Sequence, residues 1–193
     1  MAIGRPREFD PQRVLDTAMR LFWRHGYDGV SISDLTEATG INRRSLYAQF
    51  GCKEKLFRDA VQHYVAGYGN YAAVALAEPT ARDVASAMVH GAADATSMAD
   101  LPHGCLLVQS ALAVSAEAAP LYAGLAELRE AGVQVLAQRF AEAQAAGELA
   151  GEDPGALARW ISSVCQGIAV QAAGGATRDE LHAVADRALR AWP

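Results

Sequence analysis

Residues 31–55 read SISDLTEATGINRRSLYAQFGCKEK. Ser31 is an N-cap, with Asp34 three residues on as a shortened capping box. Ile32, Leu35 and Ala38 follow at helical spacing, and Gly40 provides the glycine that closes a helix C-terminus. Asn42 then caps a second short helix, residues 43–49, which Gly51 breaks. Leu35 and Ala38 are expected to face Leu46, with Ile41 plugging the core between the two helices. That packing leaves Asn42, Arg43, Arg44 and Ser45 on the exposed first turn of the second helix. Two helices so close together are too small for a catalytic site. They are the right size to lay one helix in the major groove of DNA, first turn against the base edges. Arginine grips guanine O6 and N7, asparagine pairs with adenine, and serine serves either.

Upstream, Asp10-Pro11 gives an N-cap with proline at the first helical position. Val14, Leu15, Ala18, Leu21 and Phe22 carry that helix to about Gly26. Residues 1–9 form a short arm holding Arg5 and Arg7, placed to enter a neighbouring minor groove or to remain a free tail. The whole chain of 193 residues has a formal net charge of −5. Its distribution matters more than its sum. Residues 1–66 hold ten basic and eight acidic residues; residues 67–193 hold seven and fourteen. A mildly basic head on an acidic body implies that only the head meets a polyanion.

The span from Val14 to Phe57 resembles the DNA-binding domain of the TetR family of bacterial regulators. The matching residues are Ala18, Leu21, Phe22, Gly26, Tyr27, Ser31, Leu35, Ala38, Gly40, Leu46, Tyr47, Phe50, Lys53 and Leu56. The run from Leu46 to Leu56 is the most specific part. Thr36, Thr39 and Cys52 depart from the usual pattern without removing a contact the motif needs. The resemblance implies that Tyr47, Lys53 and Ser31 contact phosphates. It leaves specificity to Arg43, Arg44, Ser45 and Asn42. Plain structural readings stand beside these: Tyr47 as a packing aromatic, Arg43 and Arg44 as a solvated pair, Asn42 as a cap first.

Residues 61–193 are expected to form a second domain after a head of residues 1–60. High alanine content, few aromatics (7%) and no useful alternating pattern favour helix throughout. Expected helices cover residues 53–78, 80–100, 105–115, 118–146, 153–173 and 178–191. With the three of the head, this makes an all-α protein of about nine helices. The body resembles the ligand-binding and dimerisation region of the same family in layout, and residues 104–108 match a run common in one branch of it.

A single helix-turn-helix reads few base pairs, so a homodimer on a palindrome is expected. The last two helices offer the interface, through Leu157, Trp160, Ile161, Val164, Ile168 and Val170 on one and Leu181, Val184, Ala185, Ala188 and Leu189 on the other. The alternative is that one of these faces covers the monomer's own core. Candidates for an effector pocket are Tyr64, Tyr68, Tyr71, Met88, Met98, Phe140 and Trp160, with His103, Cys105 and Gln109 on a short helix able to shift. Each of these has a plain core reading as well. Cys105 reads either as an oxidation sensor or as an inert thiol.

Cys52, Cys105 and Cys165 are odd in number and far apart, which fits a reduced cytoplasmic protein and no disulfide framework. No apolar run is long enough for a membrane span, and no export signal is expected. His63, His90 and His103 lack metal-ligand spacing, and no cofactor is expected. There is no Ser/His/Asp grouping, phosphate loop or carboxylate pair to support an enzyme. The expected function is a ligand-responsive DNA-binding transcriptional regulator, a repressor released from a palindromic operator by a small molecule. The alternatives are a constitutive DNA-binding regulator and a helical enzyme.

Overall fold

In the computed structural model, which describes residues 9–110, 115, 116 and 118–193, the head begins with a capped helix. Asp10 accepts from the Gln12 amide at 2.9 Å and opens α1 (Pro11–His25). Ser31 and Asp34 form the expected reciprocal box on α2 (Ile32–Thr39), at 3.1 and 2.7 Å. Gly40 closes α2 in the left-handed region, φ 70° and ψ 11°, a conformation that costs any residue with a Cβ. Asn42 caps α3 (Arg43–Phe50) through the Ser45 amide at 2.9 Å. The seam between α2 and α3 is made by buried Leu35, Ile41 and Leu46. Ala38, expected in that seam, is exposed, and Ile41, beyond the turn, is the buried residue there.

The long helix expected over residues 53–78 is broken. α4 (Lys53–Ala66) ends at Gly67, and the chain resumes as α5 (Tyr71–Ala75). The Gly67 amide is shared by the His63 and Tyr64 carbonyls, and the Gly69 amide returns to Tyr64 at 2.8 Å. Two glycines in three residues weaken the helix where these turn bonds can replace its ladder. This break is why ten helical segments stand among the described residues where about nine were expected. α6 (Ala81–Thr96) is capped by Thr80. α7 (Leu106–Gln109) is one turn long, and part of the helix expected over residues 105–115 lies outside the described residues. α8 (Ala119–Ala145), α9 (Pro154–Ala173) and α10 (Arg178–Leu189) complete the body. No strand occurs among the described residues, and no helix there is long and apolar enough to cross a membrane.

Two buried clusters divide the molecule. The first joins α1–α4 to Leu101, Leu106, Leu121, Tyr122 and Leu125 of the body. Aromatic rings fill it: Phe22 meets Phe57 edge-on at 5.1 Å, and Trp23 meets Tyr64 at 4.8 Å. The second joins α5, α6, α8, α9 and α10 and is rich in alanine. A polar chain fastens α10 to α6. The Arg178 guanidinium and a His182 ring nitrogen both reach Asp94, at 2.6 and 2.7 Å, and His182 faces His90 at 2.9 Å.

Candidate nucleic-acid interface

The first turn of α3 stands clear of the core. Arg43, Arg44 and Asn42 are exposed, Ser45 is half-buried, and Leu46 and Phe50 anchor the opposite face. Neither arginine enters an ion pair among the described residues. The Arg43 guanidinium lies 5.7 Å from the ring centre of Tyr47, one helical turn on. Cation–π attraction at this range holds the two side chains together on one edge of the helix. Tyr47 is 38% exposed, so its hydroxyl side is open to a partner. Asn42 Oδ1 is committed to the cap, which leaves its amide nitrogen free to donate. Ser31 Oγ is likewise engaged by the Asp34 amide, and Asp34 is held below the usual carboxylate range by its bonds to Ser31.

Lys53 opens α4, and its ammonium lies 4.1 Å from the ring centre of Tyr27. Burial pushes this amine below its ordinary value, against the pull of Asp28 and Asp34. Tyr27 therefore acts as a platform for Lys53, a role the sequence reading did not assign. The signal was the Gly26-Tyr27 pair before the loop, read there only as part of the motif. The neighbouring Lys55 is tied to Asp59 at 2.6 Å and Arg58 to Glu54 at 3.0 Å, which leaves Lys53 as the lysine with an aromatic seat and no paired carboxylate. Arg5 and Arg7 lie outside the described residues.

Asp28, in the loop between α1 and α2, reaches into the body. It accepts from the Ser115 amide at 3.1 Å, from Ser115 Oγ at 3.0 Å and from the Tyr122 hydroxyl at 3.2 Å. Burial would raise the Asp28 carboxyl, but these donors and Lys53 hold it below the ordinary value. A second clasp joins α1 to the α4–α5 turn and the loop after α6. Arg20 donates to Asp16 at 2.8 Å, to the Tyr68 hydroxyl at 2.9 Å and to the Asp100 carbonyl at 3.2 Å.

In the body a cavity of about 230 Å³ lies among α4 to α9, lined by Tyr64, Tyr71, Met88, Cys105, Arg129 and Cys165 among others. Of the effector candidates, Tyr64, Tyr71, Met88 and Cys105 are on its wall. Tyr68 is not, because its hydroxyl is spent on Arg20 and its ring packs on Trp23. Trp160 is not, because it stacks on Trp192 at 6.1 Å on the far side of α9. Phe140 is buried in the alanine-rich core beside Trp192. Met98 and His103 are exposed. Gln109 packs against Gly104, away from the cavity wall. Arg129, missed by the sequence reading, is the only arginine or lysine on the wall among the described residues. Burial pushes the Cys165 thiol up to about 12, so it stays protonated.

The faces expected at a subunit seam are mostly spent inside the chain. Ile161, Ile168 and Leu181 are fully buried in the second cluster, and Leu157 nearly so. Trp160, Val164 and Ala188 are half-buried. The cause is that α9 packs on both α6 and α8, so its most apolar side has no free face. What points outward is Ser163, Gly167 and Val170 on α9 and Val184 on α10.

A profile of the family described as bacterial regulatory proteins, tetR family, matches residues 14–60. The chain is 33% identical over 193 residues to the HTH-type transcriptional repressor ComR of Escherichia coli (strain K12), covering 98% of this chain and 92% of that protein. The HTH-type transcriptional repressor BdcR of the same strain is 45% identical over 62 residues, 32% of each chain. A cysteine mutant of the TetR family transcriptional regulator CifR, solved in complex with a 26 bp double-strand operator DNA, superposes with a TM-score of 0.93. That pair is 38% identical, covering 98% of this chain and 100% of the other. Similarity along nearly the whole length, together with the exposed first turn of α3, shows that the chain belongs to the TetR family of bacterial regulatory proteins, DNA-binding transcriptional regulators.

Proposed function

We propose that this regulator is a homodimeric repressor that binds a palindromic operator and is released when a small molecule fills the body cavity. The observation that carries the DNA half is the first turn of α3: two exposed, unpaired arginines on a helix fixed from behind by Leu46 and Phe50. Arg43, Arg44, Ser45 and the free amide of Asn42 read base edges. Tyr47, Lys53 and Ser31 with the N-terminus of α2 hold phosphates and set the register. Arg5 and Arg7 reach an adjacent minor groove. That CifR is solved on operator DNA, and that ComR and BdcR are repressors, supports the reading.

Residues 1–60 serve as the DNA-binding domain and residues 61–193 as the ligand-binding and dimerisation domain, acting in the cytoplasm where the DNA is. Two copies meet through the outward side of α9 and α10, where Ser163, Gly167, Val170 and Val184 allow close helix approach. Filling the cavity shifts α4 and α7, both on its wall, and so alters the spacing between the two copies of α3. Asp28, clasped by Ser115 and Tyr122, is the joint through which body movement reaches the head.

Selection of bound fragments from a random DNA pool, at two salt concentrations, tests this. Enrichment of a two-fold palindrome is the expected result. Salt-sensitive binding with no enriched motif would reduce the protein to a non-specific DNA binder.

A further inference from the structure

The wall of the body cavity carries one charge. Arg129 projects from α8, and among the described residues no aspartate or glutamate shares the lining with it. Arg129 Nη1 donates to the Leu107 carbonyl at 2.6 Å. The guanidinium enters no ion pair among the described residues. The adjacent carboxylate, Glu130, is already gripped by Arg159 at 2.6 and 2.8 Å. Arginine keeps its charge at any physiological pH and offers five donors in a fork that matches a carboxylate. A half-buried guanidinium on the wall of a largely apolar cavity, with no ion-pair partner among the described residues, is thus a cation waiting for a counter-ion.

The rest of the wall fits the same ligand. Tyr64 and Tyr71 are kept protonated by burial, so their hydroxyls can donate to an acceptor oxygen. Met88, Leu107, Val108, Val133 and Ala169 supply the apolar surface. The volume, about 230 Å³, exceeds the ~150 Å³ that admits benzene, leaving room for a ring and a short arm. Val65 and Leu128 are exposed at the edge of the lining, which puts the mouth between α4 and α8.

We propose that the effector is a small carboxylic acid with an apolar body, of the size of a phenyl ring with a short acid arm, and that its carboxylate pairs with Arg129. This rests on the reading of the cavity as the effector site. The pairing also gives a route to release. A carboxylate that draws the guanidinium further into the cavity lengthens the Arg129–Leu107 bond, which joins α8 to α7. Loosening α7 frees the wall that lies between the cavity and the buried head contact at Leu106.

The test compares 3-phenylpropionate with 3-phenylpropionamide and toluene on the full-length protein, by melting temperature and by dissociation of operator DNA. The acid is expected to bind at least about tenfold tighter than the amide, the worth of a charge-assisted hydrogen bond. It is also expected to weaken operator binding. Arg129→Gln should abolish the difference between acid and amide, and Arg129→Lys should restore part of it. Equal affinity for acid and amide overturns the acid class while leaving the cavity as an effector site. An acid preference that survives in Arg129→Gln overturns the pairing. Tight acid binding without operator release overturns the route through Leu107. If only toluene raises the melting temperature, the cavity is an apolar site with no role for an acid. If toluene also fails, the effector reading of the cavity falls with the proposal.

Discussion

The head and the body are both helical, yet their cores differ in what fills them. Behind the recognition helix, large rings fill the core: Phe22 meets Phe57 and Trp23 meets Tyr64, each pair edge to face. In the body, the buried sides of α6 and α9 carry many alanines, Ala81, Ala85, Ala92, Ala93, Ala158 and Ala172 among them, and a cavity of about 230 Å³ lies beside these helices. The contrast follows from the two tasks. A helix that must sit in register on base edges needs a backing that does not yield. A site that must admit a small molecule needs room, and small side chains provide it at the cost of lost dispersion contacts.

The contrast is broken most severely by removing an aromatic from the head. Phe57→Ala deletes a ring that is 1% exposed and touches both Phe22 and Tyr27. A loss of about 3–5 kcal/mol in unfolding free energy is expected, with operator binding abolished near the growth temperature. Denaturant titration measures it. By contrast, Ala169→Leu adds carbons at a buried site that faces the cavity. Its unfolding free energy should change by less than about 1.5 kcal/mol while effector response disappears. If Ala169→Leu destabilises as much as Phe57→Ala, the body is packed as tightly as the head and the comparison fails.

On the outer face of the head, base readers and phosphate holders should separate. Arg44→Ala is expected to cost about 1–3 kcal/mol of operator affinity and to relax preference at one base position. Lys53→Ala should weaken binding to all sequences and reduce the salt slope by about one unit. Binding titrations over a set of single-base operator variants, each at several salt concentrations, would show both effects. Two identical profiles would contradict the assignment.

Gly167 gives a test at the body's outer face. It is exposed on α9, and a Cβ there would meet nothing within 4 Å. Gly167→Glu therefore leaves the monomer's packing intact and improves its helix propensity by up to about 1 kcal/mol. Placed at a close helix crossing between copies, the same change should split the dimer. Sedimentation velocity distinguishes a monomer of unchanged helicity from an unaffected dimer, and the latter would move the interface elsewhere.

The smallest effect is expected at the joint between the two regions. Asp28 has a carboxyl lowered in the folded state by donors from Ser115 and Tyr122. A lowered value means that its contribution is present at neutral pH. That contribution is lost as acid takes the group below its ordinary 3.8 and through its folded value. Asp28→Asn should therefore lower the melting temperature slightly at pH 7, and the gap should narrow as the pH falls below 3.8. A gap that keeps its size as the pH is taken from 7 to well below 3.8 would show that the charge at Asp28 does not matter to the joint.

Most of the head was legible because its signals are local. The caps at Asp10, Ser31 and Asn42 act on amides two or three residues away, and the structure bears each one out. The exposure of Arg43 and Arg44 follows from the burial of Leu46 and Phe50 on the same eight-residue helix. Ala38 misled because spacing fixes a helix face to within one neighbour and the turn decides the rest. The body was less legible. Val164, Ile168 and Leu181 look alike as apolar residues at helical spacing, whether they face their own core or a second copy.

From its own order of residues, the chain determined an all-helical protein with a helix-turn-helix whose first turn is bare and basic. Capping and period act over a few residues, so no distant contact was needed to read them. Tertiary structure alone decided that Lys53 rests on Tyr27, that Asp28 is clasped by Ser115 and Tyr122 some 90 positions on, and that Arg129 faces a cavity without a carboxylate. Each of these depends on which helix faces which, and that is set by how the buried faces of ten segments pack together rather than by any one of them.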